Sequence, residues 1–152
     1  MPTANSQSPS DNTARAVAFF KNYDKNHPEL AAQFYDKDIE FEDPVHHVRG
    51  IKAMEKYYEG LYKNVETIRF EFSKTITDGD TSVLIWTMYL KTASLNGGKE
   101  FSLAGTSVIT FGGPEGKAIK HRDYFDMGEF IYERVPVLKS IIHAIKHKLA
   151  NS

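Results

Sequence analysis

Apolar residues recur every three or four positions in the early part of this chain and alternate with polar ones later. The two periods predict helices followed by strands. Residues 1–12 are polar and rich in Ser, Asn and Pro, and read as a disordered lead-in. Ala14, Val17, Ala18 and the pair Phe19-Phe20 predict a helix over 13–23, capped by Asp11 or Thr13. His27-Pro28-Glu29 opens a second helix, with Pro28 in its first turn and Leu30, Ala31 and Phe34 as its buried stripe. A short strand is expected over 38–43, closed by Pro44. After a loop at 46–50, a third helix over 51–62 sets Met54, Tyr57, Tyr58 and Leu61 at helical spacing.

Four long strands are expected next, over 67–77, 82–95, 100–111 and 118–130. Asp78-Gly79-Asp80, Asn96-Gly97-Gly98 and Gly112-Gly113-Pro114-Glu115-Gly116 supply turn chemistry between them, so neighbouring strands should run antiparallel. Leu84, Trp86, Met88 and Leu90 share one face of the second long strand, and Phe101, Leu103, Gly105, Ser107, Ile109 and Phe111 one face of the third. On the last strand Lys120 and Arg122 belong outside, which turns Ile119, His121, Asp123 and Phe125 inward. A final amphipathic helix over 137–149 presents Leu138, Ile141, Ile142, Ile145 and Leu149 together. The order of elements predicts an α+β domain over 13–134, followed by the helix and tail at 135–152.

Composition narrows the function. A chain of 152 residues, 41% hydrophobic and 12% aromatic, can bury a sizeable aromatic core as one domain. With 19 Lys and Arg against 20 Asp and Glu, the net charge of −1 gives no electrostatic reason to expect nucleic acid. The absence of cysteine removes disulfides, thiol catalysis and thiolate metal sites. No apolar run approaches the roughly 20 residues of a membrane span, and the first residues lack a charged start followed by an apolar stretch. The expectation is a cytoplasmic protein.

Two stretches carry the candidate chemistry: Phe41-Glu42-Asp43-Pro44, and His121-Arg122-Asp123-Tyr124-Phe125-Asp126. Each ends a strand with a carboxylate flanked by aromatics. Apolar surroundings disfavour the charged form of a carboxylate, which makes it a proton acceptor or donor near neutrality. Asp43 also reads as a turn residue accepting backbone hydrogen bonds, and Asp123 as half of a structural pair with His121, Arg122, His46 or His47. His143 and His147 have the i, i+4 spacing of zinc ligands, but no local third ligand accompanies them and Lys146 and Lys148 would repel a cation. No metal and no cofactor are therefore expected.

At Phe41-Glu42-Asp43-Pro44-Val45, Arg49-Gly50-Ile51 and residues 116–126 the chain resembles the nuclear transport factor 2-like superfamily, and within it the SnoaL-like group, alongside ketosteroid isomerase and limonene epoxide hydrolase. The resemblance spans about Thr13 to Phe130 and implies a cone-shaped, curved antiparallel sheet wrapped by three N-terminal helices. It places Asp43 where the isomerase keeps its base, but the oxyanion-hole Tyr and Asp fall on Phe19 and near Ser107. Asp123 matches the water-orienting Asp of the epoxide hydrolases, whose Arg and second Asp fall on Trp86 and Met88. It is also similar in position to the acid/base Asp of SnoaL-like cyclases, the nearest enzymatic analogue.

The resemblance thus implies a hydrophobic small-molecule pocket, with Asp43, Asp123 and His121 as candidate catalytic residues. Phe19, Phe41, Tyr58, Trp86, Met88, Leu103, Ser107 and Phe125 are the expected ligand contacts. Isomerisation, cyclisation or hydration of a polyketide-, steroid- or lipid-like compound is the implied chemistry, with a non-catalytic binding or assembly protein as the alternative. Val83, Ile85, Tyr89 and Val108 make the outer sheet face apolar enough to expect a homodimer. The helix at 137–149 reads as a lid or dimer contact, with docking on an anionic membrane as the second reading.

Overall fold

The computed structural model describes residues 8–130 and 136–152. Helix α1 (Pro9–Asn22) begins four residues before the expected 13: Ser8 caps it by accepting the Asp11 amide, and a proline stands in its first turn. Residues 9–12 therefore belong to the helix rather than to the expected lead-in, whose first seven residues lie outside the described ones. The cap is Ser8, not Asp11 or Thr13, because Thr13 is buried against the sheet. Its Oγ1 shares hydrogen bonds with Thr77 Oγ1 at 2.7 Å and Ser82 Oγ at 2.6 Å.

The short α2 (Glu29–Phe34) runs into β1 (Tyr35–Glu42), and a turn leads to β2 (His47–Arg49) within the segment expected to be a loop. After α3 (Ile51–Tyr62) come the long strands β3 (Val65–Asp78), β4 (Thr81–Thr92), β5 (Phe101–Gly112) and β6 (Lys117–Phe125). They form one curved, six-stranded sheet in the order β2-β1-β6-β5-β4-β3. All neighbours are antiparallel except β1 and β6, which pair in parallel. The long strands joined by turns pair antiparallel as expected, and the parallel pairing lies between β1 and β6. That pairing joins segments some eighty residues apart, beyond the reach of any turn signal.

Burial on β4 alternates strictly, with Leu84, Trp86, Met88 and Leu90 inside, as the period of two predicted. On β6 His121 is buried while Lys120 and Arg122 are exposed. Ile119 departs from the expected inward set. Thr110 pairs with Lys120 but Phe111 pairs with Ala118, so Ile119 is the extra residue of a bulge and Ala118 takes the inner position. Two strands are shorter than expected. β4 stops at Thr92, before a turn and a single 3₁₀ turn at Asn96–Gly98. β6 stops at Phe125, where Asp126 Oδ1 accepts the Gly128 amide at 2.7 Å and starts α4 (Met127–Phe130).

Helix α1 covers the inner face of the sheet with aromatics. Phe19 stacks on Phe34 with ring centroids 4.5 Å apart, and Phe20 meets Phe70 edge-on at 5.1 Å. The last helix, α5 (Pro136–Ala150), is tied back near α4 by Lys146 and Asp126, 3.6 Å apart. Ile141, Ile145 and Leu149 on α5 are exposed. No described helix is long and apolar enough to cross a membrane.

Candidate functional site

Between α1, α3 and the inner sheet face lies a cavity of about 360 Å³, within the size range of small-molecule sites. Its walls are mainly aromatic and aliphatic, contributed by Phe19, Tyr58, Trp86, Met88, Leu103 and Phe125 among others, and both Asp43 and Asp123 reach it. Trp86 can lie flat on the sheet because its cross-strand neighbour is Gly105, where a Cβ would overlap the indole ring.

Asp43 sits in the turn between β1 and β2, where Pro44 ends the strand. Its Oδ1 accepts the Val45 amide at 2.8 Å and the His46 amide at 2.6 Å. His46 Nδ1 lies 3.1 Å from both carboxylate oxygens, and the Tyr57 hydroxyl donates to Oδ2 at 3.0 Å. The side chain is only 4% exposed. This carboxylate holds the turn and fixes Tyr57 at the same time. Burial, and next the Asp43 charge, push the Tyr57 phenol above its ordinary value, so Tyr57 stays a neutral donor.

Asp123 is engaged differently. Register places Ser107 on β5 directly opposite it, and His121 two residues back on the same face. The indole Nε1 of Trp86 has only a proton to give, and it donates to Ser107 Oγ at 2.9 Å. The Ser107 hydroxyl is thereby left to donate to Asp123 Oδ1, 2.5 Å away. From the other side His121 Nε2 reaches the same Oδ1 at 2.6 Å, and its Nδ1 meets the Tyr35 hydroxyl at 2.7 Å. Tyr35 in turn meets the Tyr58 hydroxyl at 2.8 Å. With an ionised Asp123 as acceptor, His121 carries its proton on Nε2, and the chain runs from Tyr58 through Tyr35 and His121 to the carboxylate. Burial holds Tyr35 and Tyr58 neutral by raising both phenols well above 10.0.

Two donor chains thus converge on one oxygen of Asp123, and no described residue bonds its Oδ2. The side chain keeps 16% of its surface open, whereas that of His121 keeps none. His121, expected as a catalytic residue, is not among the residues lining the cavity and lies behind Asp123, which it meets through Nε2. Phe41 and Ser107, expected as ligand contacts, also lie one layer behind it. Phe41 packs edge-on against His121 with centroids 5.0 Å apart, and Ser107 is fully buried beneath Trp86. The other expected contacts and both carboxylates line the cavity.

Sequence reasoning missed Tyr35, left Tyr57 without a carboxylate, and offered His46 to Asp123 where the structure sets it against Asp43. Tyr35 lies before the expected strand start at 38 and so was given no face, although burial extends β1 back to it. Tyr57 and Tyr58 are neighbours on α3, yet their hydroxyls serve different carboxylates. Only tertiary contact makes that division. Among the described residues no three His, Asp or Glu side chains gather as a metal site requires.

The family model described as SnoaL-like domain matches residues 16–121. No curated protein matches the sequence. A candidate SnoaL-like polyketide cyclase from Shewanella denitrificans superposes with a TM-score of 0.67 at 16% identity, covering 76% of this chain and 90% of its own. An NTF2-like protein of unknown function from Burkholderia pseudomallei gives 0.70 at 14% identity, with 85% and 98% covered. A further candidate SnoaL-like polyketide cyclase, from Jannaschia sp., gives 0.69 at 11% identity over 86% and 94%. These likenesses are of fold. The match over residues 16–121, more than half of the chain, makes this chain a member of the SnoaL-like domain family.

Proposed function

We propose that this protein binds a hydrophobic small molecule in the aromatic cavity and moves a proton on it with Asp123, without a cofactor. The reaction is isomerisation, cyclisation or hydration of a polyketide-, steroid- or lipid-like compound. One observation carries the reading: Asp123 lines the cavity, its Oδ1 is fixed by Ser107 and His121, and no described residue bonds its Oδ2. A carboxylate held in this way needs no rearrangement to accept a proton, which is the preorganisation that general-base catalysis rewards. The cyclases among the structural neighbours agree with this chemistry. Asp43, expected as the second proton shuttle, is given a supporting role, since its turn and Tyr57 occupy it.

The test follows deuterium. Bicyclic ketones with an acidic C–H are incubated with the protein in heavy water and read by NMR. The wild type should incorporate deuterium at the enolisable carbon, and Asp123→Asn should lose roughly 100-fold or more of that rate. Binding without exchange would leave the non-catalytic reading, which the capped state of Asp43 favours. A homodimer through the outer face of β4 and β5 completes the proposal.

A further inference from the structure

Among the described residues of the cavity wall are two carboxylates, one histidine and no lysine or arginine. The donors that meet Asp43 are two amides, a phenol and His46, and those that meet Asp123 are a serine hydroxyl and His121. Among the described residues, no lysine or arginine pairs with either carboxylate. A ligand in this apolar space therefore faces negative charge with little water to screen it. The open acceptor is Asp123 Oδ2, and what it lacks is a hydrogen-bond donor.

Resting on the proposed ligand-binding role of the cavity, we infer that its ligand presents an O–H or N–H to Asp123 Oδ2, and that the site refuses carboxylates and other anions. The ligand class is then a hydroxyl- or amine-bearing hydrophobic compound, not the corresponding acid. Leaving Oδ2 dry beneath an apolar ligand would cost the carboxylate its last hydration, whereas a donor replaces that water. An incoming carboxylate would meet both Asp43 and Asp123 with no described lysine or arginine in the wall to share its charge. The rejection is built into the wall and needs no clash of shape.

Four probes on one ring system test this by calorimetry with the full chain at neutral pH: naphthalenemethanol, protonated naphthalenemethylamine, methylnaphthalene and naphthalenecarboxylate. The alcohol and the amine should each bind at least about tenfold more tightly than methylnaphthalene, the value of one hydrogen bond to a charged acceptor. The carboxylate should give no measurable heat of binding. Asp123→Asn should reduce the donor preference and admit the carboxylate, while Leu103→Trp should abolish binding of all four by filling the cavity. The wild-type ranking stands as the test even where a variant fails to fold. Equal affinity for methylnaphthalene and the two donors, or carboxylate binding as tight as the alcohol, would overturn the inference and leave the pocket reading intact. Failure of all four probes to bind folded protein would overturn both.

Discussion

A Cβ at position 105 would overlap the indole of Trp86, so the cavity floor depends on a side chain that is missing. Gly105→Ala should cost about 1–3 kcal/mol in denaturant unfolding, the usual penalty for overpacking. It should also move the indole away from Ser107, and because the chain has a single tryptophan the fluorescence maximum reports this directly. An unchanged spectrum with full stability would show that Trp86 does not rest on Gly105. The buried chain makes a second residue-scale prediction. Tyr35→Phe deprives His121 Nδ1 and Tyr58 of their partner, at a cost of about 1–3 kcal/mol. With Tyr58→Phe already in place, the same change should cost measurably less, because both residues belong to one network. Strict additivity in that cycle would contradict the chain.

Among the elements, α1 is held to the sheet by polar as well as aromatic contact. Thr13 joins Thr77 on β3 to Ser82 on β4, and Ser82 is 1% exposed. Thr13→Val keeps the shape but leaves that hydroxyl unpaired in the core, so a loss of about 1–3 kcal/mol is expected. Amide exchange should quicken in α1 before it does in β4 and β5; uniform acceleration would mean that the contact does not hold the helix separately. The element types were legible because α1, α3 and the long strands repeat their apolar residues at clear periods, as Leu84, Trp86, Met88 and Leu90 do. Their ends were less legible. Ser8 as cap, the Ile119 bulge and the Asp126 turn are each decided by one or two bonds that no periodicity records.

For the molecule as a whole, five phenols wholly or partly buried govern behaviour at high pH. Burial raises Tyr23, Tyr35, Tyr57, Tyr58 and Tyr62 above the ordinary value of 10.0. Below that value the folded and unfolded chains both keep these phenols neutral, and their contribution to stability is complete. Above it the unfolded chain ionises while the folded one resists, so stability should fall as the pH rises from about 10 toward the raised native values. Tyrosinate absorbance should therefore develop in step with loss of structure. Early titration of these five in a folded chain would contradict their burial. Assembly is the other molecular-scale prediction. Val83, Ile85, Tyr89 and Val108 are half-buried on the outer sheet face, with Arg69 stacked on Tyr89 at 3.8 Å. Sedimentation at micromolar concentration should give the mass of two chains, and Ile85→Glu should halve it; a wild-type monomer would remove the proposed dimer.

The sequence by itself determined the α+β class, the inner faces of β4, β5 and the second half of β6, and the two carboxylates that reach one cavity. These follow from local periodicity and from Lys120 and Arg122 excluding themselves from a core, and both are properties of neighbouring residues. Tertiary structure decided what the carboxylates became. Parallel pairing of β1 with β6 sets Phe41 opposite His121, and β5 sets Ser107 opposite Asp123, while α3 brings Tyr57 to Asp43 and Tyr58 to Tyr35. A carboxylate's role depends on how many donors reach each of its oxygens. Those donors come from segments far apart in the chain, so only the folded sheet and helices could leave one oxygen of Asp123 open and close both of Asp43.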